Sequence, residues 1–144
     1  MKYSAGLLIS THYKGELKYL VCHPIRASWY GRHDIPKGGY LPKEETPKEA
    51  ALRETLEEIG LAIPKELINN NPEIVEYRNS KGKVYKKVSV FRVHINIEDF
   101  KDNFTDLIVN KENLQLEEVD WAGFLNLEEL EKRLFHRFKI LLNN

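Results

Sequence analysis

Three glutamates, Glu54, Glu57 and Glu58, stand at i, i+3 and i+4 in a segment that reads as a helix. At roughly 100° per residue these positions share one narrow sector, so three carboxylates point together into one space. Leu52, Leu56 and Ile59 project on the opposite side and are expected to dock the helix on a sheet. Like charges at this spacing destabilise a helix by about 0.2–0.5 kcal/mol per pair. Two of the three also sit in the last turn, where the macrodipole disfavours negative charge. An arrangement that works against its own helix asks for a counter-charge, although a solvated acidic face has the same spacing. A hard divalent cation such as Mg²⁺ fits the first reading, because it takes oxygen ligands and keeps waters and phosphate oxygens around it.

The flanks favour the cation. Arg53, next to Glu54, faces sideways and can clamp carboxylates, including Glu45 in the preceding loop. Gly38-Gly39 precedes the helix, where backbone without a Cβ can approach a metal or phosphate, and Lys37 adds a point charge beside it.

The helix that carries these groups has clear ends. Thr46 reads as its N-cap, Pro47 as N1, Glu49 as the partner in a capping box and Gly60 as the residue after its last turn. Upstream, Leu7-Leu8-Ile9 and Tyr19-Leu20-Val21-Cys22 are short apolar runs joined by Tyr13-Lys14-Gly15-Glu16, a hairpin pattern that His23-Pro24 ends. Residues 25–45 hold Gly31, Pro36, Gly38, Gly39 and Pro42 and read as a long loop with a short strand at most. Downstream, Ile74–Tyr77 and Val84–Ile97 flank the turn-rich Asn79-Ser80-Lys81-Gly82. Asn126 and Glu129 form a second capping pair, after which Leu127, Leu130, Leu134, Phe138 and Leu141 line one helical face. Strands, helix, strands, helix make a mixed α/β domain, with the strand pairing left open.

Composition narrows the function. The 144 residues are 42% hydrophobic and 31% charged, which excludes intrinsic disorder and points to a single domain over residues 1–144. Lys plus Arg total 22 and Asp plus Glu total 22, a balance that argues against a whole-surface grip on nucleic acid. The single cysteine, Cys22, can build neither an internal disulfide nor a thiolate zinc site, so a reducing, cytoplasmic setting is expected. The apolar run near the N-terminus is too short for a signal peptide or a membrane span.

Gly39, five residues, Glu45, seven residues, then Arg53-Glu54-Thr55-Leu56-Glu57-Glu58-Ile59-Gly60-Leu61 resembles the Nudix box of the Nudix hydrolases. Every fixed position of that pattern is present in register over residues 39–61, and Thr55 is the one departure, standing where an aliphatic residue is usual. Ser4–Leu8 resembles the family's first strand, Asp34–Gly39 the approach to the box, and Val119-Asp120-Trp121 its end. The resemblance implies an α/β/α sandwich with a mixed sheet. It also implies Mg²⁺-dependent hydrolysis, with Mn²⁺ as the alternative ion, of a nucleoside diphosphate linked to another moiety. Glu54, Glu57 and Glu58 would then be metal ligands, with the Gly38 carbonyl as a further one, and Arg53 with Glu45 the pair that orients them. Gly39 and Lys37 would lie against substrate. Glu98, past the long strand, resembles in position a loop carboxylate that some members use, and is read on its own as an ordinary strand-end residue.

Other residues carry weaker readings. Arg26, Arg32 and His33 in the long loop offer phosphate contacts or solvated charge. Trp29, Tyr30 and Tyr40 offer stacking on a base or cover for a sheet edge. Trp121 is assigned to the core, Cys22 to a buried strand position, and His12, His94 and His136, which lack metal-ligand spacing, to structural or exposed positions. The isoprenoid isomerases that share the fold use an added cysteine, which Cys22 matches poorly. The Trp29–Gly39 segment looks most like the diadenosine polyphosphate hydrolase branch. The expected partner is a small nucleotide, with no membrane contact, on a monomer or homodimer. The alternatives are pyrophosphate removal from RNA 5′ ends and a catalytically silent nucleotide-sensing module, which would be expected to lose box carboxylates that this chain keeps.

Overall fold

The computed structural model of the protein describes residues 1–25 and 32–143. Its strands are β1 (Lys2–Tyr13), β2 (Glu16–Pro24), β3 (Lys37–Gly39), β4 (Glu73–Arg78), β5 (Val84–His94), β6 (Phe104–Thr105), β7 (Ile108–Val109) and β8 (Val119–Asn126). Two α-helices accompany them, α1 (Pro47–Ile59) and α2 (Leu127–Arg133). The strands form one mixed sheet in the order β4-β5-β1-β2-β8-β7-β6.

β1 organises the site. On one edge it runs parallel to β5 from Lys2↔Lys86 to Ser10↔His94. On the other it pairs with β2 from Ser10 to Tyr13, across a turn in which Lys14 and Gly15 both have positive φ. That leaves the first half of the edge open, and β3 occupies it antiparallel, with Gly39 opposite Ser4 and Gly38 opposite Ala5. A two-glycine segment is thereby fixed as sheet backbone instead of wandering in a loop.

Alternation along the strands builds two cores. Ala5, Leu7 and Ile9 face one cluster, which takes Ala50, Ala51 and Ile59 from α1. Leu8 faces the other, with Leu130, Leu134, Phe138 and Leu141 from the C-terminal segment. A helical layer thus covers each face of the sheet, giving the α/β/α arrangement. Cys22 lies in the first core at 3% exposure.

Both capping boxes form: the Thr46 side chain accepts from Glu49 N–H and that of Asn126 from Glu129 N–H, each with the reciprocal bond. Two helix faces differ from the sequence expectation. Of the expected stripe, Ile59 is fully buried and Leu52 packs partly buried on the first core, but Leu56 is 52% exposed, and Ala50, Ala51 and Thr55 complete the buried side of α1. Small side chains let the helix axis sit close to β1, which large leucines at the contact would prevent. Thr55 satisfies its hydroxyl within the helix by donating to the Ala51 carbonyl (2.8 Å). The C-terminal apolar series is not one helix either. α2 stops at Arg133, Leu134 is extended (ψ 143°), and a 3₁₀ segment runs from His136 to Asn143. The cause is His33, whose N–H donates to Arg133 O and whose carbonyl accepts from Phe135 N–H, inserting loop backbone into the break. Leu127 is left 42% exposed.

Candidate functional site

α1 lies across β3 with Glu54, Glu57 and Glu58 toward Gly38-Gly39. The closeness is measurable at Gly38, where a Cβ would fall 2.0 to 2.4 Å from the Glu54 carboxylate atoms. Any other residue there would push that carboxylate away, so the glycine is required for the approach.

Arg53 is the hub. Its Nε and one terminal nitrogen grip both Glu45 oxygens (2.9 and 2.8 Å), a bidentate pair. The second terminal nitrogen donates to Glu54 (2.9 Å) and to both Glu57 oxygens (3.3 Å), and the guanidinium also reaches the Gly39 carbonyl (3.3 Å). Three carboxylates and one carbonyl are therefore held by a single cation. The Arg53 hydrogen bonds hold the Glu45 carboxyl below its ordinary range.

Glu58 is held differently. Its Oε1 accepts from the backbone N–H of Lys37 (2.9 Å). Burial pushes its carboxyl up to about 8, and the charges of Asp34 and Glu54 add to that against the Lys37 donor. Burial also raises Glu54, against the opposing pull of Arg53. Two carboxylates thus resist ionisation where they stand, and a nearby cation would reverse that.

These residues fit a divalent metal on two grounds. The donor set is all oxygen, the preference of a hard cation, and Gly38 opens the backbone beside it. Among the described residues no three acidic, histidine or cysteine side chains already converge on one point. An ion would compete with Arg53 for Glu54 and Glu57.

Other sequence candidates fall in varied places. The Lys37 ammonium is mostly buried and ion-paired with Asp34 (3.1 Å). Burial alone would lower its pKa, but Asp34, Tyr77 and Glu58 together raise it. Tyr40 stacks at a tilt on Tyr3 (6.2 Å between ring centres). With Gly39, Leu41 and Lys86 these rings line a hollow of about 580 Å³, a volume in the range of small-molecule sites. Glu98 lies in the 3₁₀ segment that follows β5 (Ile97–Asn103), and its N–H donates to the Asn96 side chain (3.1 Å).

In the long loop, Arg32 donates to the Lys132 carbonyl at the end of α2 (3.0 Å). His33 is buried, edge-on to Trp121, and burial lowers its pKa to about 4, with His23 adding to the effect. His33 is therefore not a solvated loop charge, whereas Arg32 keeps a partly exposed one. Trp121 itself is only partly buried, at the rim of the second core. Arg26, Trp29 and Tyr30 lie outside the described residues. The buried pair Asp34–Lys37, with Tyr77 and Lys86 close enough to perturb it, was missed from sequence. The i, i+3 spacing of Asp34 and Lys37 was its one local signal.

A mixed sheet thus lies between helical layers, with an Arg-gathered carboxylate face over two glycines. The NUDIX domain model matches residues 5–141, and the chain belongs to that family. An RNA pyrophosphohydrolase of Sulfurovum sp. (strain NBC37-1) is 35% identical over 86 residues, 56% of this chain and 51% of that protein. The chain thus spans about half the length of the curated relative it matches. Among solved structures, a C. elegans Ap4A hydrolase binary complex aligns with TM-score 0.68 and 25% identity over 99% of this chain and 93% of its own. The MutT NUDIX hydrolase of Burkholderia pseudomallei, at 20% identity, shares the fold with TM-score 0.67 over 99% and 95% of the two chains. Members of this family generally use a divalent metal and act on small nucleotides, and no helix among the described residues is long and apolar enough to cross a membrane.

Proposed function

We propose that the chain is a Mg²⁺-dependent pyrophosphohydrolase acting on a nucleoside diphosphate derivative, with a dinucleoside polyphosphate as the favoured substrate. The observation that carries this is the Arg53-centred cluster of Glu45, Glu54 and Glu57 over Gly38-Gly39, with Glu58 beside it on the Lys37 amide. Glu54, Glu57 and Glu58 would hold the metal together with the Gly38 carbonyl. When bound, it neutralises phosphoryl oxygens and makes water nucleophilic near neutral pH. Arg53 fixes the carboxylate orientations through its two bonds to Glu45, and the Lys37 amide fixes Glu58. A carboxylate of the cluster accepts the proton of the attacking water. The hollow at Tyr3 and Tyr40, beside Gly39, suits an apolar ring of the substrate. The likeness to an Ap4A hydrolase over nearly the full length supports the dinucleoside substrate.

The 35% identity to an RNA pyrophosphohydrolase favours a second reading, pyrophosphate removal from RNA 5′ ends. A panel of dinucleoside polyphosphates, nucleotide sugars, nucleoside triphosphates and triphosphorylated RNA, assayed with Mg²⁺ by product mass, separates the two. Cleavage of the first group is expected. Preference for RNA would transfer the assignment, and binding without turnover of any member would indicate a sensing module.

A further inference from the structure

At the far end of β1 two histidines that are 82 residues apart in sequence come together. Ser10 and His12 lie on one face of β1, two residues apart, and the parallel register places His94 of β5 beside Ser10. The His94 Nε2 and His12 Nδ1 atoms are 3.2 Å apart, with ring centres at 4.9 Å and planes tilted by 59°. Both residues are exposed, and neither makes an ion pair among the described residues. Two nitrogens bound to one metal at about 2.0–2.1 Å stand about 2.9–3.4 Å apart, for coordination angles between square and tetrahedral. The observed separation is inside that window.

The other nitrogen of His94 is supported as well. Its Nδ1 is 2.8 Å from Ser10 Oγ, whose hydroxyl reaches the Val93 carbonyl (3.5 Å). In the tautomer with its proton on Nδ1, His94 donates to Ser10 Oγ, and the Nε2 lone pair lies on the side of His12. This is how ligating imidazoles are commonly held, by a bond from the nitrogen that does not bind.

We propose that His12 and His94 form a two-imidazole site for a borderline divalent transition ion, Zn²⁺, separate from the carboxylate cluster. A turn of the exposed rings aims both lone pairs at one ion, and since among the described residues no third histidine, cysteine or acidic side chain converges with them, water completes the coordination. Imidazole nitrogen selects such an ion over Mg²⁺, which prefers oxygen. Occupancy ties the C-terminal ends of β1 and β5 together and so stabilises the sheet by mass action.

Zn²⁺ titrated into the full chain in excess Mg²⁺, followed by histidine ring resonances, tests this without any substitution. The His12 and His94 signals are expected to shift together, saturating at one equivalent. His12→Asn and His94→Asn should each abolish saturation, and Ser10→Ala should weaken binding by about 10-fold. Zinc should raise the Tm of the natural chain by several degrees and leave that of His94→Asn unchanged. Shifts confined to other histidines, or an affinity in either asparagine variant equal to that of the natural chain, would overturn the site and leave a hydrogen-bonded pair only.

Discussion

The two helical layers solve opposite problems. α1 meets the sheet through Ala50, Ala51 and Thr55, each 0% exposed, and carries its charged residues right at that contact. The C-terminal layer meets the other face through Leu130, Leu134, Phe138 and Leu141, all at or below 2% exposure, and none of the residues assigned to the site. Large apolar side chains bury more area, at about 25 cal/mol per Å². Small ones bury less but let carboxylates come within reach of backbone at Gly38. One layer supplies stability and the other gives up part of it for proximity.

Breaking the apolar layer should have the largest effect on stability. Phe138→Ala is expected to cost about 3–5 kcal/mol in chemical denaturation, while kcat per folded molecule stays near that of the natural chain. A loss of turnover larger than the loss of folded protein would mean the two layers are not separable. The complementary change is Glu57→Gln. The Glu57 side chain is about half exposed and bound to Arg53 at 3.3 Å, so Tm should hold. Turnover should fall on the order of 100-fold, about 2.7 kcal/mol of barrier. Unchanged turnover in the folded variant would remove Glu57 from the proposed metal set.

His33 fills the break in the C-terminal layer and gives a subtler test. Burial lowers its pKa from 6.5 to about 4, so the folded chain prefers the neutral ring. Its contribution is complete above the unfolded value and is lost as pH falls from about 6.5 toward 4. The loss should be on the order of 3 kcal/mol, one pKa unit being worth about 1.4. Carboxylates titrate in the same window, so the measurement is the difference in denaturation midpoint against pH between the natural chain and His33→Gln. Parallel curves would show that His33 is not held neutral.

What could be read from sequence was local. The hairpin at Lys14-Gly15, both capping boxes and the gathering of Glu54, Glu57 and Glu58 depend on residues within four positions of one another. What escaped depends on distant chain. The break at Leu134 is made by His33, and the parallel β1–β5 register brings His12 to His94.

Leu56 on α1 is the sharpest case, and it yields the smallest expected effect. Apolar periodicity weights Leu56 heavily and alanine hardly at all, so it places the buried stripe on the leucine side. Packing weighs shape as well, and at a close crossing Ala51 and Thr55 fit where leucine does not. With Leu56 half in solvent, truncation removes little buried area and opens no enclosed cavity, and alanine gains slightly in helix propensity. Leu56→Ala should therefore change stability by less than about 0.5 kcal/mol, the usual range for surface substitutions, against the 2–5 kcal/mol a buried leucine would cost. A measured loss in the larger range would return the helix to the leucine-down orientation. Glu54 and Glu58 would then turn away from Gly38, and the site would lose its geometry.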